Sequence, residues 1–114
     1  MAVISAVFQK SLWAKTRGLL GAKEAYPIFF KTRWGIHTFC LNFPIDVLIF
    51  DSYNKVVKMT HNLRPYRVFL WPPKYENVLE LPEGEIAKHG IHHGDTIEVQ
   101  CINLPHKMSE SEGS

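Results

Sequence analysis

Residues 34–51 read WGIHTFCLNFPIDVLIFD, an apolar run that carries one histidine and two aspartates. A carboxylate taken out of water must be hydrogen-bonded, paired or neutralised. Asp46 therefore restricts the folds open to this chain, because whatever buries its neighbours must also supply it with partners. Strand parity puts His37, Phe39, Leu41 and Phe43 on one face of a strand over residues 36–43, with Ile36, Thr38, Cys40 and Asn42 on the other. Pro44 breaks the ladder or sits at an edge. Residues 45–50 then form a strand that is apolar on both faces apart from Asp46. Asp51, Ser52, Tyr53 and Asn54 make a turn, and residues 55–60 return as the second arm of a hairpin.

The remaining segments extend a β-rich reading. Residues 2–8 suit a first strand. Ser11 caps a short helix with Leu12, Thr16, Leu19 and Leu20 on one side, ended by Gly21. Residues 27–31 are extended. Residues 64–75, RPYRVFLWPPKY, are a long connection or an irregular edge. Residues 77–81 form a strand, residues 83–89 one or two helical turns stopped by Gly90, and residues 96–102 the last strand after a Gly94-Asp95 turn. The expected fold is α+β and β-rich: a compact, mostly antiparallel, half-closed barrel-like sheet with two short helices. It occupies residues 1–108 as a single domain, followed by a polar, disordered tail over residues 109–114.

Composition narrows the function classes. A chain of 114 residues is one domain. Its net charge of +2 gives no electrostatic footprint for nucleic acid. The two cysteines, Cys40 and Cys101, lie far apart, which excludes a zinc ribbon and a CxxC redox motif. Two buried thiols are expected, with a disulfide between them left open. The first residues, MAVISAVFQK, lack the basic start of a signal peptide, and the longest apolar run is too short for a membrane span. A soluble cytoplasmic protein with no membrane partner is the expectation.

Residues 36–51, IHTFCLNFPIDVLIFD, resemble the core motif of the bacterial and archaeal domain of unknown function family 192, which runs Ile-His-Thr-Phe-x-Met-x-x-Pro-Ile-Asp-x-x-Phe-x-Asp. Three further pieces agree in order. Thr16-Arg17-Gly18-Leu19 is similar to the family's early Arg-Gly-Leu. Leu63-Arg64-Pro65-Tyr66-Arg67 is similar to its Leu-x-Pro-Trp-Arg. The stretch from Val78 to Gly84, with Gly90-Ile91-His92-His93-Gly94-Asp95, is similar to its closing Val-Leu-Glu-Leu-x-x-Gly and Gly-Ile-x-x-Gly-Asp. Leu41 stands where Met is common, Asn42 where Arg or Lys is frequent, and Asn54 where Gly is frequent. The resemblance implies a compact, mostly β fold and no assigned activity.

No motif fixes a reaction. Asp46 is either a pocket carboxylate or one held by backbone N–H groups or an arginine. His37 either pairs with Asp46 or is a satisfied core histidine. Arg17 either bridges to Asp46 or binds an anion. Asp51 reads as a turn residue. Arg64, Tyr66 and Arg67, with Phe69 and Trp71, interleave cations with aromatic rings and could grip a sugar, a base or a partner chain. His89, His92 and His93 have near-helical spacing, but Gly90 interrupts it and no accompanying ligand appears, so neither a metal nor any cofactor is expected. Three functions compete: a non-catalytic binding module for a small polar ligand or a partner chain, a small hydrolase or lyase using His37 and Asp46 as acid and base, and a structural accessory protein. Binding leads, because no nucleophile accompanies the histidine and aspartate.

Overall fold

The structure, a computed structural model, describes residues 2–9, 26–39 and 41–102. Eight strands and one short helix are formed among them: β1 (Val3–Gln9), β2 (Ile28–Lys31), β3 (Gly35–His37), β4 (Ile45–Phe50), β5 (Val56–Leu63), β6 (Val68–Leu70), β7 (Asn77–Pro82), α1 (Glu85–His89) and β8 (Glu98–Ile102). Six strands make one sheet in the order β5-β4-β7-β2-β1-β8, and β3 with β6 makes a second sheet of two. The pairs β1–β2 and β1–β8 are parallel, and the others are antiparallel.

The main sheet is covered on both faces. On one side Leu48, Phe50, Leu79 and Leu81 pack with Ile86 of α1 and with Ile91 and Ile97 of the following loop. On the other, Ile28, Phe30, Val47, Ile49 and Val78 pack with Ile36, Leu41 and Trp71 from the β3–β6 layer. β4 runs between β5 and β7, next to the edge strand, and all six of its residues are buried. That explains its unbroken apolar pattern, as strands covered on both faces do not alternate.

The expected half-closed barrel is not formed. The sheet is open, and its two edges approach each other at one bridge, between Lys55 and Thr96. α1 is the one helix among the described residues, and the helix expected from Ser11 lies outside them, as do Arg17, Cys40 and the tail over residues 109–114. Cys101 is an exposed free thiol on the edge strand β8, not the buried one expected.

The strand expected over residues 36–43 also ends early. β3 stops at His37 because Thr38 turns inward. The Thr38 hydroxyl donates to the Arg64 carbonyl at 2.6 Å and accepts the Arg67 N–H at 2.9 Å, and its carbonyl accepts the Tyr66 N–H at 3.0 Å. Period two is lost from there: Phe39 is exposed while Leu41 is buried. The segment 64–75 is more regular than expected, since Val68–Leu70 is the strand β6 that pairs with β3.

Asp46 is fully buried, and three backbone N–H groups surround its carboxylate. Opposite it, the register of β5 slips: Ile45 faces Leu63 and Val47 faces Thr60, so His61 and Asn62 together oppose Asp46. Such a bulge leaves an N–H outside the ladder. Asn62, at φ 53°, gives that N–H to Oδ1 at 2.9 Å. Oδ2 accepts the N–H of Gly84 at 3.1 Å and of Ile86 at 3.0 Å, both at the start of α1. Gly84, the N-cap residue, has no side chain to cap the helix, and Asp46 does so from β4. The C-terminus ends on Gly90 at φ 64°, with the Ile91 N–H bonded to the Ile86 carbonyl at 3.0 Å.

Two substitutions measure these constraints. Asp46→Asn keeps the volume but turns an NH₂ group toward an N–H donor, and should cost about 2–4 kcal/mol in urea unfolding; a loss below about 1 kcal/mol would show that the bulge and helix do not need the charge. Gly35→Ala would place its Cβ 2.5 Å from Leu70 Cδ2 and 2.7 Å from the Phe69 carbonyl oxygen. The leucine can rotate but the carbonyl is backbone, so a cost of about 1–3 kcal/mol is expected by the same measurement.

Candidate functional site

The sequence-derived candidates separate into two environments. Asp46 lies under α1 in the six-stranded sheet, with its oxygens directed at backbone N–H groups. His37 is exposed on β3, and its Nδ1 accepts the Phe39 N–H at 3.3 Å. The two are in different sheets and do not form the acid–base pair considered from the sequence. His37 is likewise not a core histidine. Asp51 makes the expected turn, its Oδ1 accepting the N–H groups of Tyr53 at 2.8 Å and Lys55 at 3.0 Å.

His89, His92 and His93 point to different partners. His89 contacts Glu85 at 3.1 Å, His92 lies 3.7 Å from Asp95, and His93 meets the Val57 carbonyl at 2.9 Å. No group of three or more histidine, cysteine, aspartate or glutamate side chains converges among the described residues. An open cavity of about 640 Å³ lies between the end of α1 and residues 90–97, with Lys88, His89 and Asp95 in its wall. Neither Asp46 nor His37 borders it.

One buried carboxylate escaped the sequence reading. Glu80 on β7 is 2 % exposed, on the face opposite Leu79 and Leu81, and sits across from Ile28 and Val47. The available signal was the same as for Asp46, a charge inside a strand whose neighbours are all apolar.

The candidates that come together are His37, Tyr66 and Arg67, with Arg64 beside them, on the outer side of the β3–β6 sheet. Gly35 and His37 alternate with the inward Ile36, and their partners Leu70 and Val68 alternate with the inward Phe69. The His37 ring stacks on Phe39 at 4.8 Å between centroids, and Phe39 on Tyr66 at 6.2 Å. Trp34 immediately precedes β3, its carbonyl accepting the Trp71 N–H at 3.0 Å. The bonds of Thr38 hold the 64–67 turn against β3 and so present Tyr66 beside Phe39. Thr38 was not singled out from the sequence, where a threonine in an alternating strand carries no mark.

This face is apolar and open to solvent. Trp34 is 67 % exposed, Phe39 45 %, Tyr66 62 %, Val68 55 % and Leu70 60 %, and these make up five of the nine large exposed hydrophobic residues described. Scattered exposed hydrophobics are ordinary, whereas clustered ones mark interaction surfaces. Trp34 and Tyr66 also sit in the left-handed backbone region, at φ 80° and 62°. That conformation costs a residue with a Cβ about 1 kcal/mol, and glycine avoids the cost. Burial does not offset it here, because both rings stand mostly in water.

Cations border the face. Arg33 pairs with Glu76 at 3.3 Å, and Lys58 donates to the Leu70 carbonyl at 2.6 Å while lying over the Phe69 ring. Arg64 and Arg67 are exposed and have no carboxylate partner among the described residues. No helix among those residues is long and apolar enough to cross a membrane.

Two solved structures share the architecture. One is a protein of unknown function from Novosphingobium aromaticivorans DSM 12444, with a TM-score of 0.68 at 19 % identity over 78 % of this chain and 70 % of its own. The other is a candidate transcription regulator from Sinorhizobium meliloti 1021, with a TM-score of 0.67 at 18 % identity over 82 % of this chain and 78 % of its own. At these identities the likeness is one of fold. No curated protein matches the chain. The sequence pattern of DUF192, described as Uncharacterized ACR, matches residues 2–99, and this chain belongs to that family.

Proposed function

We propose that this chain is a non-catalytic binding module, that its contact surface is the outer face of the β3–β6 sheet, and that it binds a partner chain. The observation that carries this reading is the gathering of Phe39, Tyr66, Val68 and Leu70 on the His37 side of a two-stranded sheet, with the exposed Trp34 at the start of β3. Small-molecule sites are concave and enclose most of their ligand. This face is open, and the cavity by Lys88 lies elsewhere, so a macromolecular partner suits it better than a small polar ligand. Aromatic residues and arginine are the types enriched where protein interfaces carry their binding energy. A hydrolase or lyase reading has less support, since His37 and Asp46 are held apart and Asp46 is occupied in structure.

Photo-crosslinking in cells tests the reading. A benzophenone amino acid placed at Tyr66 should give discrete adducts with a partner, and the same group at Tyr53, 83 % exposed in a turn outside this face, should not. Leu70→Asp should abolish the Tyr66 adducts. Equal labelling from both positions, or none from Tyr66, would overturn the assignment of the surface.

A further inference from the structure

We infer that the occupant of this face is an acidic polypeptide segment, one that carries carboxylates beside apolar side chains, with Trp34 and Tyr66 as its anchors. The inference rests on the binding reading above and adds the chemistry of the partner. Three observations lead to it.

The first is charge. Arg64 and Arg67 are exposed at the 64–67 turn beside the aromatic ladder, without a carboxylate of their own among the described residues, whereas Lys58 lies over the inward Phe69 and is engaged by the Leu70 carbonyl. No Asp or Glu lies between Asp51 and Glu76 in the sequence, and Glu76 is already paired with Arg33. Complementary charge across an interface selects the partner and fixes its register. Guanidinium groups match carboxylates in a bidentate geometry, which an acidic side chain would supply.

The second is the form of the apolar area. A single-stranded nucleic acid would also satisfy the cations, but it binds by laying bases on free ring faces. Here His37 and Tyr66 each stack on Phe39, at 4.8 and 6.2 Å, so the central ring is already engaged and only the end rings keep an open face. The strand face between that ladder and Trp34 is aliphatic, formed by Val68 and by Leu70 lying against Gly35. Aliphatic side chains pack against aliphatic side chains, and a polypeptide provides them.

The third is backbone conformation. Trp34 and Tyr66 occupy positive φ where glycine would fit at less cost, and their rings are mostly in solvent. Residues held in unfavourable backbone geometry concentrate at functional sites. A structural role would make replacement by glycine destabilising. A role in contact makes glycine harmless to the fold and ruinous to binding.

The test is fluorescence anisotropy with three pools of synthetic peptides, matched in apolar content and made acidic, neutral or basic, with single-stranded polyuridylate as a fourth probe. The acidic pool should bind at least about tenfold tighter than the neutral one and weaken as salt is raised. Arg64→Gln with Arg67→Gln should lower that affinity about tenfold. Trp34→Gly and Tyr66→Gly should each remove binding while melting at or above the wild-type temperature. Equal binding of acidic and neutral pools, preference for polyuridylate, absence of binding by the acidic pool, or a lowered melting temperature in both glycine variants would each overturn the inference. Crosslinking separates this from the broader reading: adducts at Tyr66 with a partner that is not acidic remove the acidic occupant and keep the surface, and no adducts at Tyr66 remove both.

Discussion

The carboxylate of Asp46 accepts three N–H groups that would otherwise have no place to bond, and the architecture depends on that exchange. Asn62 lies in a bulge of β5, outside the ladder. Gly84 and Ile86 open a helix too short to cap itself. Each N–H alone would be costly to bury, and so would the carboxylate. Together they make β4, β5 and α1 interdependent. The effect extends further along the chain. α1 delivers Ile86 and Ile91 to the core, and the loop after it returns to pair with the start of β5, where the Val56 N–H reaches the Asp95 carbonyl at 2.8 Å. One acidic side chain thus ties the edge strand β5 and the helix α1 to β4.

Most of this fold is legible in the sequence, and the illegible parts share a cause. β1, β4 and β7 follow from apolar runs, and the Asp51 turn and the Gly90 and Gly94 breaks follow from residues that favour those conformations. The oddness of Asp46 is visible too. Its partners are not, because they are main-chain groups of residues 62, 84 and 86, and a backbone N–H has no sequence signature. The same holds for Thr38. Its hydroxyl ends β3 and holds the 64–67 turn by bonding to carbonyl and amide groups, which a reading of side-chain parity passes over. β6 was hidden by prolines on both sides of it. His37 was placed correctly on a strand but is exposed rather than a core histidine, since parity tells which residues share a face and not whether that face is covered.

The molecule places its polar and apolar anomalies in opposite settings. Asp46 and Glu80 are carboxylates in the interior, whereas Trp34, Phe39 and Tyr66 are aromatic rings in water. The internal carboxylate of Asp46 is accounted for by the bonds it completes. The external rings complete nothing comparable within the chain, and two of them stand on backbone that would prefer glycine. Local choices that favour neither propensity nor burial are the ones for which a fold-level reason is missing.

The two-stranded sheet explains how such a surface can be sustained. Its inner side, through Ile36, Phe69 and Trp71, belongs to the core shared with β4 and β7, so the layer is anchored by burial that does not involve its outer side. The strands are three residues each, and their register is held by Thr38 at one end and by the Trp34–Trp71 bond at the other. Gly35 lets β6 approach closely enough for Leu70 to lie across it. The outer residues are therefore free of the requirement to stabilise the fold, while the inner ones hold them in fixed positions. A surface in that condition is preorganised: its rings need little ordering when something docks, and the entropic cost of binding falls on the partner.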